Sequence, residues 1–278
     1  MRKLFLNLLK IFNPGTIKIR HHYTHQPFFL DTFMHKGYWY HGKNRELDTM
    51  DFFRDCITPG STVIEVGAHI GYVSQYLSSL TGETGKVLIF EPGINNIPYL
   101  QRNIAKLNNV ELIQKAVSDK NGVANFYLEN LTGQNNSLIN DYQRFNAALA
   151  NSGVKVSKKT VEVETVSLDS YLKQFYLNAS INFIKMDIEG AELFALTGMT
   201  ETLTKHKPNL MIEVTVNDYE VLQLLNNLDY ILLNPKKRLV NNLKKVNGNI
   251  LGIHKSRKEV LEKFGLLPLT DVIYSPVQ

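Results

Sequence analysis

The 278-residue sequence is poor in cysteine: Cys56 stands alone. One thiol excludes an intramolecular disulfide and any zinc site built on several cysteines. A reducing compartment, the cytoplasm, is therefore the expected location. Cys56 sits in Asp51-Phe52-Phe53-Arg54-Asp55-Cys56-Ile57, where a buried structural thiol is a better reading than a reactive one. Glycine and proline are modest at 17 and 9, which excludes a collagen-like or low-complexity chain. No apolar run reaches the ~18 residues of a membrane-spanning helix. The stretch from Met1 to Phe12 starts positive and turns apolar, but Asn7 and Lys10 interrupt it and no small-residue cleavage site follows. No signal peptide is expected there. In a helix, Leu4, Phe5, Leu8, Leu9 and Phe12 share one face. That face is expected to dock on the protein body, with peripheral membrane contact as the alternative.

What is present is an ordinary globular composition, 44% hydrophobic and 21% charged. The net charge of +5 is unevenly spread. Residues 1–60 carry 9 basic and 5 acidic side chains, residues 229–278 carry 9 and 4, and the stretch between carries 13 and 17. A nucleic-acid binder concentrates basic residues around its working site. Here the centre is acidic, so no nucleic-acid partner is expected.

From residue 61 onward, short β-branched runs alternate with helical stretches. Thr62–Val66, Lys86–Phe90, Val110–Ile113, Ile181–Met186 and Asn209–Val214 read as strands. Gly71–Leu80, Ile94–Leu107, Ala191–Leu196 and Asp218–Leu228 read as helices. This alternation predicts an α/β fold, a mostly parallel sheet with helices on both faces. Tyr230–Leu233 and Asn249–Ile253 are joined by a turn-rich link, which suggests a last antiparallel pair. Residues 123–166 interrupt the pattern with two strands, 123–128 and 161–165, and a long polar excursion. A loop that long inside a compact domain is usually functional, and it is expected to cover the active site. Residues 1–60, with Tyr38, Trp39 and Tyr40 at their centre, read as a helical or irregular extension. The expected division is thus an extension over 1–60 and a catalytic domain over 61–278.

Two motifs carry the first chemical signal. Glu65-Val66-Gly67-Ala68-His69-Ile70-Gly71 joins the first strand to the first helix. Glycines there let backbone approach a ligand at the carboxyl end of the strand. The spacing is not that of a dinucleotide fingerprint, and no phosphate-loop Gly-Lys-Ser/Thr follows. Glu91, in Phe90-Glu91-Pro92, ends the second strand, where a carboxylate can accept both ribose hydroxyls. A nucleoside site without a pyrophosphate cradle suits S-adenosylmethionine, whose sulfonium stands where phosphates would be.

The third motif is Lys185-Met186-Asp187-Ile188-Glu189-Gly190-Ala191-Glu192. With VIEVGAHIGYVS (63–74), FEP (90–92), AVSD (116–119), NSL (136–138), VSLDSY (166–171) and PNLMIEV (208–214), it resembles the FkbM family of S-adenosylmethionine-dependent methyltransferases. The resemblance implies a class I methyltransferase Rossmann-like sheet with a last antiparallel strand. It also implies methylation of a hydroxyl oxygen on a small-molecule or glycan acceptor, since characterised members act mostly on polyketides and sugars. Two positions depart from the family: Glu65 replaces its usual Asp, and His69 its usual Asn.

The resemblance and the chemistry of methyl transfer together suggest roles. Gly67, Ala68 and Gly71 would let the loop hold the methionine part of the cofactor, and Glu65 would anchor its ammonium. Glu91 would take the ribose, and Asp119 either the adenine amino group or merely a turn. His69 is read as a loop residue, a base, or a group stacked near the methionine end. Asp187 is the expected base or acceptor-orienting residue. Glu189 and Glu192 are expected to share a helix face near it, with helix capping as the plainer reading. Lys185 is expected to pair with one of those two. Asp187 and Glu213, ending neighbouring strands, could coordinate Mg²⁺ with the acceptor. Tyr38–Tyr40 are read as sugar-stacking rings or as packing. Nitrogen methylation and a non-catalytic scaffold are the alternative functions. The base-methylating signature N/D-P-P-Y/F is absent after the fourth strand.

Overall fold

The computed structural model describes residues 12–129, 132–140, 157–215 and 218–267. Of the expected N-terminal apolar face only Phe12 falls among these, and it is exposed. The chain opens with a hairpin, β1 (Thr16–Arg20) and β2 (Pro27–Asp31), then helices α1 (Lys36–His41) and α2 (Leu47–Cys56). Alternation follows: β3 (Thr62–Val66), α3 (Tyr72–Thr81), β4 (Lys86–Phe90), α4 (Ile97–Ile104) and β5 (Val110–Ile113). Three strands then leave the main sheet, β6 (Ala116–Val117), β7 (Gly122–Glu129) and β8 (Lys158–Val166). The main pattern returns with α5 (Leu168–Phe175), β9 (Ile181–Met186), α6 (Glu192–Thr197), α7 (Thr200–His206) and β10 (Asn209–Val214). Helix α8 (Tyr219–Asn227), β11 (Tyr230–Leu233), β12 (Gly248–His254) and α9 (Lys258–Lys263) complete it.

Seven strands form the central sheet in the order β11-β12-β10-β9-β3-β4-β5. Strand β12 runs antiparallel to both neighbours, β10 and β11; the remaining pairs are parallel. This is the mostly parallel sheet with a last antiparallel strand that the family resemblance implies. Its central strands are apolar on both sides because both sides are covered. Ile64, Leu88, Phe90, Ile184 and Met186 face α5 to α8, packing on Leu172, Leu196, Leu203 and Leu222. Val63, Val87, Ile89 and Phe183 face the other way, onto Phe52, Phe53 and Leu77. Each such fully buried side chain contributes about 1.5–3 kcal/mol. Among the described residues no helix is long and apolar enough to cross a membrane.

Residues 12–60 are more regular than expected. Thr16-Ile17-Lys18-Ile19-Arg20 alternates apolar and polar, and it pairs with Pro27–Asp31, whose Phe28 and Leu30 are fully buried. Asn103 fixes this hairpin to the glycine loop. Its Nδ2 donates to the carbonyls of Phe29 (2.9 Å) and Ile70 (2.7 Å), and its Oδ1 accepts from the Phe29 N–H. Helix α2 lies in the sheet's own core, with Phe53 edge-on to Phe183 at 5.5 Å. Cys56 belongs to the same core, and burial pushes its thiol far above the usual range. A buried protonated thiol is a packing group.

Candidate active site

The parallel strands end along one edge of the sheet, and the turns after them build a cleft of about 290 Å³. The turn after β3 lies directly on the turn after β9. Gly67 has φ +81°, and a Cβ there would stand 1.9 Å from the Asp187 carbonyl oxygen. The Asp187 N–H donates to the Val66 carbonyl at 3.1 Å, closing the two turns together. Gly67 is thus required by protein packing as well as by any ligand. Gly67→Ala is expected to cost about 3 kcal/mol from the left-handed backbone and the forced separation of the turns. Thermal denaturation checks this, with the midpoint falling by roughly 5–10 °C. At the far end of the loop Gly71, φ +86°, opens α3.

Glu65 stands directly opposite Lys185 in the β3–β9 register. Its carboxylate is wholly buried. One oxygen accepts the Ser74 hydroxyl at 2.5 Å; the other, Oε1, has no hydrogen-bond partner among the described residues. Lys185 Nζ lies 4.0 Å from that oxygen, 3.7 Å from Asp187 Oδ2, and donates to the Gly67 carbonyl. Lys185 therefore pairs with Glu65 and Asp187, and the expected pairing with Glu189 or Glu192 is corrected. Burial raises the Glu65 carboxyl and Lys185 opposes this, leaving it at about 7.

Glu91 ends β4. One oxygen accepts the His69 N–H at 2.8 Å; the other accepts the Gly93 N–H at 2.8 Å and Asn96 Nδ2 at 3.3 Å. A carboxylate offers about four acceptor sites, so capacity remains toward the cleft it lines. Burial pushes its carboxyl above the usual range, against those three hydrogen bonds.

His69 has φ +52° and both ring nitrogens engaged. Nε2 lies 2.9 Å from the Thr132 carbonyl, which can only accept, so Nε2 carries the proton. Nδ1 then accepts the Tyr38 hydroxyl at 3.0 Å. Burial, then neighbouring His35, holds the imidazole well below its usual value. A neutral ring with neither nitrogen free is a link between segments, and the base reading of His69 is corrected. The link reaches the long excursion, where Asn96 Nδ2 also donates to the Gly133 carbonyl and the Ser137 hydroxyl to the Glu189 carbonyl. Gly133, Gln134, Asn135, Asn136 and Leu138 line the cleft.

The acids after β9 separate. Asp187 lines the cleft with its side chain 32% exposed. Glu189 also lines it, but at φ +57° and before α6 begins. Glu192 is the first residue of α6 and does not line the cleft. Its oxygens accept the N–H groups of Ile188 (3.2 Å) and Gly190 (2.9 Å), and burial pushes its carboxyl up to about 8. The expected shared helix face is corrected: the positive φ at Glu189 and Gly190 breaks the helix, and Glu192 caps the turn. Asp119 is exposed, accepts from its neighbour Ser118 at 3.1 Å, and stands off the cleft. Ala116 and Val117 line it from the same segment. Glu213 lines the cleft beside Asp187, yet among the described residues no group of three or more His, Cys, Asp or Glu could hold a metal ion. Lys185 already supplies positive charge to Asp187, so these residues do not fit Mg²⁺.

The aromatic triplet divides. Tyr38 lines the cleft, Trp39 Nε1 donates to the Thr32 carbonyl at 2.9 Å, and Tyr40 is exposed. Beside Tyr38 stand Arg45 and Glu46, which the sequence reading passed over. The Arg45 guanidinium lies 4.5 Å from the Tyr38 ring centre and pairs with Glu46 at 3.3 Å. Glu46 has φ +55°, a strained conformation that clusters at functional sites. A charged pair in a non-periodic stretch gave only that faint signal.

Strand order defines a class I methyltransferase fold. The profile of the Methyltransferase FkbM domain matches residues 65–232, and the chain belongs to that family. Methyltransferase sdnD of Sordaria araneosa is 28% identical over 170 residues, 54% of this chain and 65% of its own length. The 2-O-methyltransferase NoeI of Sinorhizobium fredii (strain NBRC 101917 / NGR234) is 27% identical over 161 residues, 53% of this chain and 60% of its own. The matched part is thus less than two thirds of either relative. A solved structure, methyltransferase FkbM from Methylobacillus flagellatus KT, is 18% identical with a TM-score of 0.44, covering 73% of this chain and 50% of that one.

Proposed function

We propose that this chain is an S-adenosylmethionine-dependent O-methyltransferase acting on a sugar hydroxyl of a glycan, glycolipid or secondary metabolite. The carrying observation is the order of groups along the cleft. An apolar slot of Ala116, Val117, Phe126 and Leu138 follows β5, Glu91 follows β4, the glycine loop and Glu65 follow β3, and Asp187 follows β9. That order suits adenine, ribose, methionine and acceptor, with neighbouring strands about 4.8 Å apart. Glu65 Oε1, buried without a hydrogen-bond donor and with Lys185 Nζ no nearer than 4.0 Å, fits a cationic amine, and S-adenosylmethionine when bound supplies that amine and an electrophilic methyl carbon.

The chain's own residues do the rest. Glu91 would accept the ribose hydroxyls and Glu65 the ammonium. Asp187 Oδ2 would accept the proton of the acceptor hydroxyl, and Tyr38, Arg45 and Glu46 would wall the acceptor. Met50 from the first segment, and Phe126, residues 133–136 and Leu138 of the insertion, frame that side of the cleft. Six carboxylates against two cations line the cleft, which suits a neutral polyhydroxylated acceptor and opposes a phosphate backbone. The name of the relative NoeI, a 2-O-methyltransferase, supports oxygen as the acceptor.

Calorimetric titration with S-adenosylhomocysteine, with and without Mg²⁺, tests the cofactor reading. One site with an affinity on the order of micromolar, unchanged by Mg²⁺, is expected. Radiolabelled S-adenosylmethionine offered with neutral sugars, sugar phosphates and amines then tests the acceptor, with label expected in a neutral sugar. Absence of binding would leave a scaffold; label in an amine would replace oxygen with nitrogen.

A further inference from the structure

Lys185 has no role in the proposed reaction, yet its side chain is only 4% exposed and it lies between Glu65 on β3 and Asp187 after β9. Resting on the reading of the cofactor site given above, we propose that Lys185 is a positioning residue for cofactor binding: clamped between Glu65, Asp187 and the Gly67 carbonyl, its ammonium keeps Glu65 ionised and ready to receive the cofactor's amine.

Strand register makes the arrangement. Glu65 and Lys185 are direct partners across β3 and β9, so both project to the same face, beneath α3. A carboxylate in that place is taken wholly out of water, and burial favours its neutral form. A neutral carboxyl cannot form an ion pair with an amine. The groups around the pair are few and come from every neighbouring element. Toward Glu65 stand Lys185, the Ser74 hydroxyl on α3, Glu91 after β4 and Asp187 after β9; Lys185 and Ser74 favour the carboxylate, while Glu91 and Asp187 oppose it. Toward Lys185 stand Asp187, Glu65, Glu46 before α2 and Tyr38 on α1. Burial opposes the Lys185 charge, but the three carboxylates outweigh it and the ammonium stays protonated, Tyr38 being a neutral hydroxyl. One cation therefore holds two carboxylates, and the loop carbonyl fixes it in place. Serine alone would leave Glu65 a single hydrogen bond against burial and two like charges.

The test is the pH dependence of S-adenosylhomocysteine affinity. Only ionised Glu65 binds the amine, so the dissociation constant rises as pH falls through the Glu65 midpoint, which lies at about 7 in the native protein. Removing Lys185 moves that midpoint upward. If the midpoint rises by one unit, Lys185→Met is expected to bind about eightfold more weakly than wild type near pH 6.5, approaching tenfold at lower pH. The variant-to-wild-type ratio should shrink steadily toward pH 9. The ligand's own titration is common to both proteins and cancels in the ratio. Lys185→Arg should stay close to wild type. In a Glu65→Gln background, where the buried charge is removed with its partner, Lys185→Met should add nothing at any pH. If Lys185→Met does not fold, Lys185→Gln keeps a donor for Gly67 and carries the same comparison. A folded variant whose ratio is flat with pH, or persists in the Glu65→Gln background, overturns the proposal and leaves Lys185 as packing. Failure of the wild type to bind at all overturns the cofactor reading and this proposal together, which is a different result.

Discussion

Glu91→Ala is expected to abolish measurable S-adenosylhomocysteine binding, raising the dissociation constant at least about 100-fold. Two effects combine. The cofactor loses two hydrogen bonds to a charged acceptor, each worth about 1.5–3 kcal/mol. The protein loses the group that receives the His69 and Gly93 N–H donors and Asn96. Those buried donors would be left unpaired, and the glycine loop would shift to satisfy them. Calorimetry checks the affinity, and a thermal melt separates loss of the site from loss of the fold. Glu91→Gln should be intermediate, because its amide retains one acceptor oxygen but turns an NH₂ toward backbone donors. An affinity for the alanine variant within about threefold of wild type, too small for even one charged hydrogen bond, would show that Glu91 only builds the loop.

The sequence makes the central sheet easy to read because its strands are buried on both faces. Runs such as Val87–Phe90 and Val63–Ile64 are apolar, Ile181–Met186 is apolar apart from Asn182 and Lys185, and glycine-bearing turns end several of them. The same reasoning locates Glu65, Glu91 and Asp187, since a group at the carboxyl end of a parallel strand has few other places to face. It fails where a neighbour in space is needed. Nothing within Ile184-Lys185-Met186 says that Lys185 will meet Glu65, because register between β3 and β9 is set by packing across 120 residues. The spacing of Glu189 and Glu192 implies a shared face only if the helix has begun. Two positive φ angles in the turn, at Glu189 and Gly190, postpone it. Asp119 follows a strand of two residues, Ala116–Val117, too short to hold the next side chain at the cleft. Tyr38, Arg45 and Glu46 join the site only because α2 packs its phenylalanines against Phe183, which brings the preceding turn to the sheet edge.

Asp187→Asn is expected to lower turnover by about 10²–10⁴, the usual contribution of a positioned base, while S-adenosylhomocysteine affinity changes little. Initial rates with the acceptor found in the radiolabel screen, together with calorimetry, check both halves. The assignment follows from what the other acids are already doing. Glu65 is buried and directed at Ser74 and Lys185, Glu91 holds the glycine loop, and Glu192 caps the turn behind the cleft. His69 has given both ring nitrogens to neighbouring segments. Asp187 combines exposure to the cleft with a cation 3.7 Å away that orients its carboxylate. Asparagine preserves the shape but cannot take the acceptor's proton, and it turns an amide toward Lys185 in one of its two orientations. Turnover unchanged in a variant that still binds cofactor would move the base to Glu189, after β9, or Glu213, near the end of β10, both on the cleft wall. It would leave Asp187 as the counter-ion that holds Lys185 over the glycine loop.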